Sequence, residues 1–177
     1  FMLGYFSVSP SHKEDFNLIT SDIRNFLKKY KDSLLKIVGH IDIPEALREF
    51  EDRIIQVPFV SYEELQYEIG VVDVNLVPLQ QNLFNNCKSE LKYFEAGIVN
   101  VVSCCSPTYV FKKIVKDGEN GFLCREGEWF AKLDYIHQNR DKISKIIKNA
   151  CKTSSDMYSV DSQTEKITRV YDSILGD

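Results

Sequence analysis

The sequence predicts a doubly wound α/β fold, a parallel sheet covered by helices on both faces with further helices at its carboxy-terminal end. Three observations predict it. Short apolar or β-branched runs alternate with longer segments of helical period. The runs are almost continuously apolar, as in strands buried on both sides. Helix-start signals recur directly after strands, as Ser-x-x-Glu at Ser11/Glu14 and Ser61/Glu64, with a third at Ser162/Glu165.

Met2–Val8 reads as the first strand and Ser11–Tyr30 as the helix after it, with Phe16, Ile19, Ile23, Phe26 and Leu27 at helical spacing. Leu34–Gly39 is the second strand, Pro44–Phe50 a short helix and Arg53–Val57 the third strand. Ser61–Ile69 is a capped helix, and Asp73–Leu79 the fourth strand. Lys88–Ala96 reads as a helix, Val99–Cys104 as a strand, and Pro107–Lys116 as a helix opened by proline. Asp117-Gly118 and Asn120-Gly121 are turns before a last strand, Phe122–Cys124. The rest is helical and more polar, ending in a helix at about Ser162–Leu175 with Ile167, Val170 and Ile174 on one face. Residues 1–125 are expected to form the core, and 126–177 helices of the same domain.

The 177 residues match one domain long enough to need no disulfide or metal staple. A net charge of −4 argues against nucleic acid as the main partner. Five cysteines in odd number, without Cys-x-x-Cys spacing, suit reduced thiols and a cytoplasmic location. No apolar run is long enough to span a membrane. Three histidines without paired spacing give no metal site. A Gly-x-Gly-x-x-Gly fingerprint, a Walker A loop and a Gly-x-Ser-x-Gly elbow are all absent. Phe1–Phe6 goes straight into a strand-like run, so the chain is expected to be part of a longer protein.

In this fold class ligands bind outside the carboxyl ends of the strands. Two segments there carry suitable chemistry. After the first strand come Ser9, His12 and Lys13 beside a capped helix start, a pattern that suits a phosphate as well as ordinary capping. The second segment is NNCKSELKYFEAG, where Lys88, Lys92 and Glu95 stand at i, i+4 and i+7 on one helical face, with Leu91 and Phe94 on the buried side. Two lysines can hold a diphosphate and the glutamate can accept from sugar hydroxyls; a solvated charge ladder fits the same spacing. His40 ends the second strand on the same rim and can face the site together with His12.

KSELKYFEAGIVNVVSCCSPTYVFKKIVKDGENGFLC resembles the carboxy-terminal, donor-binding domain of GT-B glycosyltransferases of the group 1, glycogen-synthase-like superfamily. LGYFSVSPSHKEDFNLI, LLKIVGH and VPFVSYEELQYEIGVVDVNLVPL resemble its earlier units in the same order, so the resemblance covers Met2–Cys124. It implies the Rossmann-like half of a GT-B fold and transfer of a sugar from a nucleoside diphosphate sugar to an acceptor hydroxyl. Glu95 matches the second glutamate of the family's Glu-x7-Glu motif, which binds the nucleotide ribose; the first is replaced. By the same likeness Ser9, His12, Lys13, Lys88 and Lys92 are candidates for the diphosphate, and Asn85, Ser89 and His40 join Glu95 for ribose or sugar hydroxyls. The glycine that usually follows the phosphate-binding lysine is Glu14, and FKKIV lacks the glutamate of the family's Pro-Glu-Ile-Val-like segment. The resemblance also implies no metal or cofactor beyond the donor substrate, an N-terminal acceptor-binding domain as partner, and any peripheral membrane contact through that domain. The final helix is expected to dock on it. A non-catalytic assembly module of the same fold, and a nucleotide-sugar epimerase, stay open as alternatives.

Overall fold

The computed structural model describes residues 1–7 and 13–176. Its sheet has six parallel strands in the order β3-β2-β1-β4-β5-β6. They are β1 (Met2–Ser7), β2 (Leu34–Gly39), β3 (Ile54–Val57), β4 (Val74–Val77), β5 (Val102–Cys105) and β6 (Phe122–Leu123). The central strands β1, β4 and β5 are buried on both faces, as their apolar composition requires. The order reverses between β1 and β4, which opens a crevice at their carboxyl ends.

Several elements depart from the sequence reading. The helix expected over Ser11–Tyr30 is two, α1 (Lys13–Asn17) and α2 (Thr20–Lys29), separated at Leu18 and Ile19. Phe16, Ile19, Ile23, Phe26 and Leu27 are all fully buried, so the apolar period runs across the break and hides it. The Ser11 cap lies outside the described residues. In place of a short helix at Pro44–Phe50 there is a 3₁₀ segment, Glu45–Arg53, kinked at Phe50. Arg53 is not the first strand residue. Its guanidinium donates to the carbonyls of Leu27 (2.9 Å), Tyr30 (3.1 Å) and Lys31 (2.9 Å), the acceptors that the end of α2 leaves over.

The Ser61/Glu64 box is present at the start of α3 (Tyr62–Gly70): Ser61 N–H donates to Glu64 (2.9 Å) and Glu64 N–H to Ser61 Oγ (3.3 Å). The box expected at Ser162 is absent. α9 (Val160–Leu175) starts earlier, capped by Ser159 Oγ, which accepts from Ser162 N–H at 3.2 Å. The helix expected over Lys88–Ala96 also shifts. Asn82 caps a separate short helix, α4 (Leu83–Asn86), and α5 begins only at Leu91 (Leu91–Ile98). Lys88 therefore sits in the connection between them, and Leu91 is exposed, not buried; the buried side of α5 is Tyr93, Glu95, Ala96 and Gly97.

Asn86 accepts from Tyr109 N–H at 2.8 Å and so caps α6 (Tyr109–Ile114) from another element. α7 (Trp129–Gln138) packs on α2, and α8 (Arg140–Tyr158) on α5. At that second contact a Cβ on Gly97 would meet Ser154 Oγ at 2.2 Å, so only glycine lets the two helices approach this closely. α9 has no buried residue. The thiols of Cys104, Cys105 and Cys124 are buried and free, that of Cys151 is partly buried, and Cys87 is exposed.

Candidate functional site

The carboxyl ends of β1 and β2 set the floor of the site. Gly39 closes β2 with φ +108°, and a Cβ there would stand 1.7 Å from the carbonyl oxygen of Ser7. Absence of a side chain lets the two strand ends lie side by side. Beyond them is a cavity of about 150 Å³, with Phe6, Val38, Phe59 and Tyr62 among its apolar walls and Lys92 and Glu95 as its charged ones. His40 is exposed next to it and stacks on Phe59, with ring centroids 5.7 Å apart and planes 7° from parallel.

Lys92 enters from the first turn of α5. Its ammonium donates to the Phe6 carbonyl at 2.8 Å and lies 5.4 Å from the centre of the Tyr5 ring. Its own carbonyl accepts from Asn75 of β4 (2.9 Å), whose amide also reaches Ser103 of β5 at 3.0 Å. A buried asparagine thus ties α5 to the sheet. Burial, then the charge of Lys88, pushes the Lys92 pKa down to about 8, against the opposing pull of Asp15, Glu95 and Cys105. Glu95 is 5 % exposed, and burial raises its pKa while Lys92 draws it back. The Tyr5 hydroxyl is pushed well up by burial and then by Asp15.

Lys88 approaches from outside the helix. Its ammonium is 3.6 Å from Asp15 Oδ2 and 5.3 Å from the centre of the Phe84 ring. The structure thus brings Lys92 and Glu95 to the cavity from one face of α5, whereas Lys88 comes near Lys92 from the connection before that helix. Asn85 is buried, and its amide donates to the Gln80 carbonyl (2.9 Å) and to Asp15 (3.4 Å), which places it under the loop. Ser89 is exposed in the connection before α5. Lys13 is exposed at the start of α1 and forms no ion pair among the described residues. Ser9 and His12 lie outside the described residues.

Three contributors were not singled out from sequence: Phe59, Asn75 and Asp15. Asp15 left a signal, since it precedes Ile19 and Ile23 at i+4 and i+8 and so lies on the apolar stripe of its helical run. Among the described residues no cluster of His, Cys, Asp or Glu has the makings of a metal site. The site therefore offers an apolar slot, a buried carboxylate and two ammonium groups, a set that suits a ligand with a flat ring, hydroxyls and a multiple negative charge.

No protein-family model matches the chain, and no curated protein matches it in sequence. Solved structures do match in fold. Anabaena Alr3699/HepE in complex with UDP-glucose superposes with a TM-score of 0.80 at 16 % identity, over 98 % of this chain and 49 % of that one. A glycosyltransferase from Rickettsia africae gives 0.81 at 15 % identity, over 98 % and 48 %. The C-terminal domain of a group 1 family glycosyl transferase (LpcC) from Francisella tularensis gives 0.73 at 18 % identity, over 90 % and 87 %. The chain spans about half the length of the full-length neighbours and nearly all of the isolated C-terminal domain. Its fold is that of the Rossmann-like, carboxy-terminal half of GT-B glycosyltransferases.

Proposed function

We propose that this chain is the donor-binding half of a glycosyltransferase that moves a sugar from a nucleoside diphosphate sugar to an acceptor hydroxyl. The observation that carries the reading is that Lys92 and Glu95 line a cavity at the carboxyl ends of β1 and β2, with Lys88 close by on Asp15. The nucleoside occupies the slot beside Phe59, and Glu95 accepts from the ribose hydroxyls. Lys92 and Lys88 meet the diphosphate, with Lys13, Ser9 and His12 as further candidates on the segment after β1. Ser89, Asn85 and His40 are the further candidates for ribose or sugar hydroxyls. Uridine is the first base to test, because neighbours in fold were solved with UDP or UDP-glucose.

Transfer builds negative charge on the departing diphosphate. Fixed ammonium groups in a partly desolvated site stabilise that charge more in the transition state than in the ground state. Neither metal nor cofactor is needed for this part of the work. The acceptor and the remaining groups come from an N-terminal domain of the same protein. One side of α9 exposes Val160, Ile167, Val170 and Ile174, the apolar surface on which that domain would rest. No described helix is long and apolar enough to cross a membrane. We place the protein in the cytoplasm, with any membrane contact peripheral and made through the other domain.

Calorimetric titration with UDP-, GDP-, ADP- and dTDP-sugars tests the reading. One nucleotide is expected to bind, with its affinity reduced in Glu95→Ala. Absence of binding by every nucleotide, both in this chain and in the longer protein, overturns it. Sugar transfer by the longer protein that is unchanged in Lys92→Ala favours the assembly role, and isomerisation of the donor without acceptor the epimerase.

A further inference from the structure

A carboxylate stands inside the cationic end of the site. Asp15 is 5 % exposed, and its two oxygens have separate partners. Oδ1 accepts from the Gln80 N–H at 2.9 Å and the Asn85 amide at 3.4 Å, whereas Oδ2 faces the Lys88 ammonium at 3.6 Å. Burying a carboxylate is costly unless it is hydrogen-bonded and paired. Placing one where a diphosphate must approach also opposes binding by like-charge repulsion. A group with both drawbacks has to supply something that the site lacks without it.

We infer that Asp15 is a positioning residue of the diphosphate site: a fixed counter-charge beside Lys88 that favours the charged form of Lys92 and moors the 80–88 segment against α1. The inference rests on reading this site as the one that takes the diphosphate.

Two ammonium groups in one partly buried site repel each other, and the cheapest relief is loss of a proton. Among the described residues, the groups that face Lys92 include Asp15 from α1, Lys88 from the connection before α5, Glu95 from its own helix and Cys105 from β5, with the Tyr5 ring and the Phe6 carbonyl of β1. Burial and Lys88 push Lys92 toward neutrality; Asp15 leads the groups that hold the proton. Glu95 is a weaker substitute, because burial draws that carboxylate itself toward the neutral form. Asp15 is fixed by the Gln80 N–H, so its charge stays in place when Lys88 turns from Oδ2 to a phosphate.

The division between the two oxygens supplies the test. Asp15→Asn retains an Oδ1 acceptor for Gln80 and removes the charge next to Lys88. UDP affinity is measured by calorimetry from about pH 6 to about pH 9.5, and the Lys92 Cε resonance is titrated by NMR without ligand. Wild-type affinity is expected to fall above a pKa of about 8. In Asp15→Asn both the fall and the NMR midpoint move down by about 1 unit, so the ratio of affinities grows to about tenfold at the alkaline end. An equal loss at every pH, or an unmoved NMR midpoint, overturns the inference. Should wild-type protein bind no nucleoside diphosphate, the diphosphate reading has failed, and the NMR midpoint still decides whether Asp15 holds the charge on Lys92.

Discussion

Lys92 lowers the stability of the fold that holds it, and replacing it measures by how much. In the folded chain its pKa is about 8, against an ordinary value of 10.5. Between those values the unfolded chain binds more protons than the folded one, so stability rises with pH across the window. Below it, both states are protonated and the charge is held at full cost, about 3 kcal/mol at 1.36 kcal/mol per unit. Lys92→Met keeps the length and apolar stem and removes the charge. It also removes the hydrogen bond to the Phe6 carbonyl, a loss of about 1–2 kcal/mol. The variant is therefore expected to be more stable than wild type near neutral pH by about 1–2 kcal/mol. From about pH 7 to about pH 9.5 the wild type regains about 2 kcal/mol relative to the variant. Urea denaturation of both proteins at the two pH values is the assay, and the gap between midpoints should change by about 1 M. Every other titrating group is common to the pair and cancels unless it is coupled to Lys92. A gap of the same size at both pH values refutes the reasoning, since it means that Lys92 carries no burial cost.

Glu95→Ala is expected to weaken UDP binding by about 10- to 100-fold in calorimetry, the loss of a hydrogen-bonded charged acceptor, while leaving far-UV circular dichroism unchanged. Gly39→Ala places a methyl group against the Ser7 carbonyl at a positive φ and should cost at least about 2 kcal/mol in denaturant melts. A loss under 0.5 kcal/mol, about that of a neutral surface change, contradicts the close approach of β1 and β2. Ser61→Ala removes the cap of α3 and should cost about 1 kcal/mol. Because the paired Ser61 groups hold Glu64 below the usual carboxylate range, that cost should shrink as the pH falls through the Glu64 titration.

The alternation of parallel strands with helices and the site rim were legible in the residues, because they follow from hydrophobic periodicity and from the turn residues at strand ends. The all-parallel sheet is implied by double-sided apolar strands, and Lys92 and Glu95 sit together because i and i+3 share a helical face. Lys88 shows where this reasoning stops. Spacing alone cannot say that Asn82 caps a separate helix four residues long, so a cation expected on the face of α5 arrives from the connection before it. The break after Asn17 is hidden for a related reason, since Phe16 before it and Ile19, Ile23, Phe26 and Leu27 after it are all buried in the same core. Asp15, Phe59 and Asn75 come from different turns of the chain, and only tertiary packing places them around the cavity. Ser162 illustrates competition between equivalent signals: Ser159 is as good a cap, and it lies where the preceding helix ends.

The glycine contact between α5 and α8 makes those two helices behave as a single lever. With no side chain at Gly97 and Ser154 seated against it, α8 has no soft layer through which to slide. At the far end of α8, the Tyr158 hydroxyl bonds Glu90 and its ring stacks on Phe94 at 4.4 Å, a second fastening on the same helix. Any tilt imposed on α8 by a body docked on α9 therefore reaches Lys92 and Glu95 as a displacement of their whole helix. In the proposed two-domain enzyme, the fit around the donor would then register, mechanically, what rests on α9.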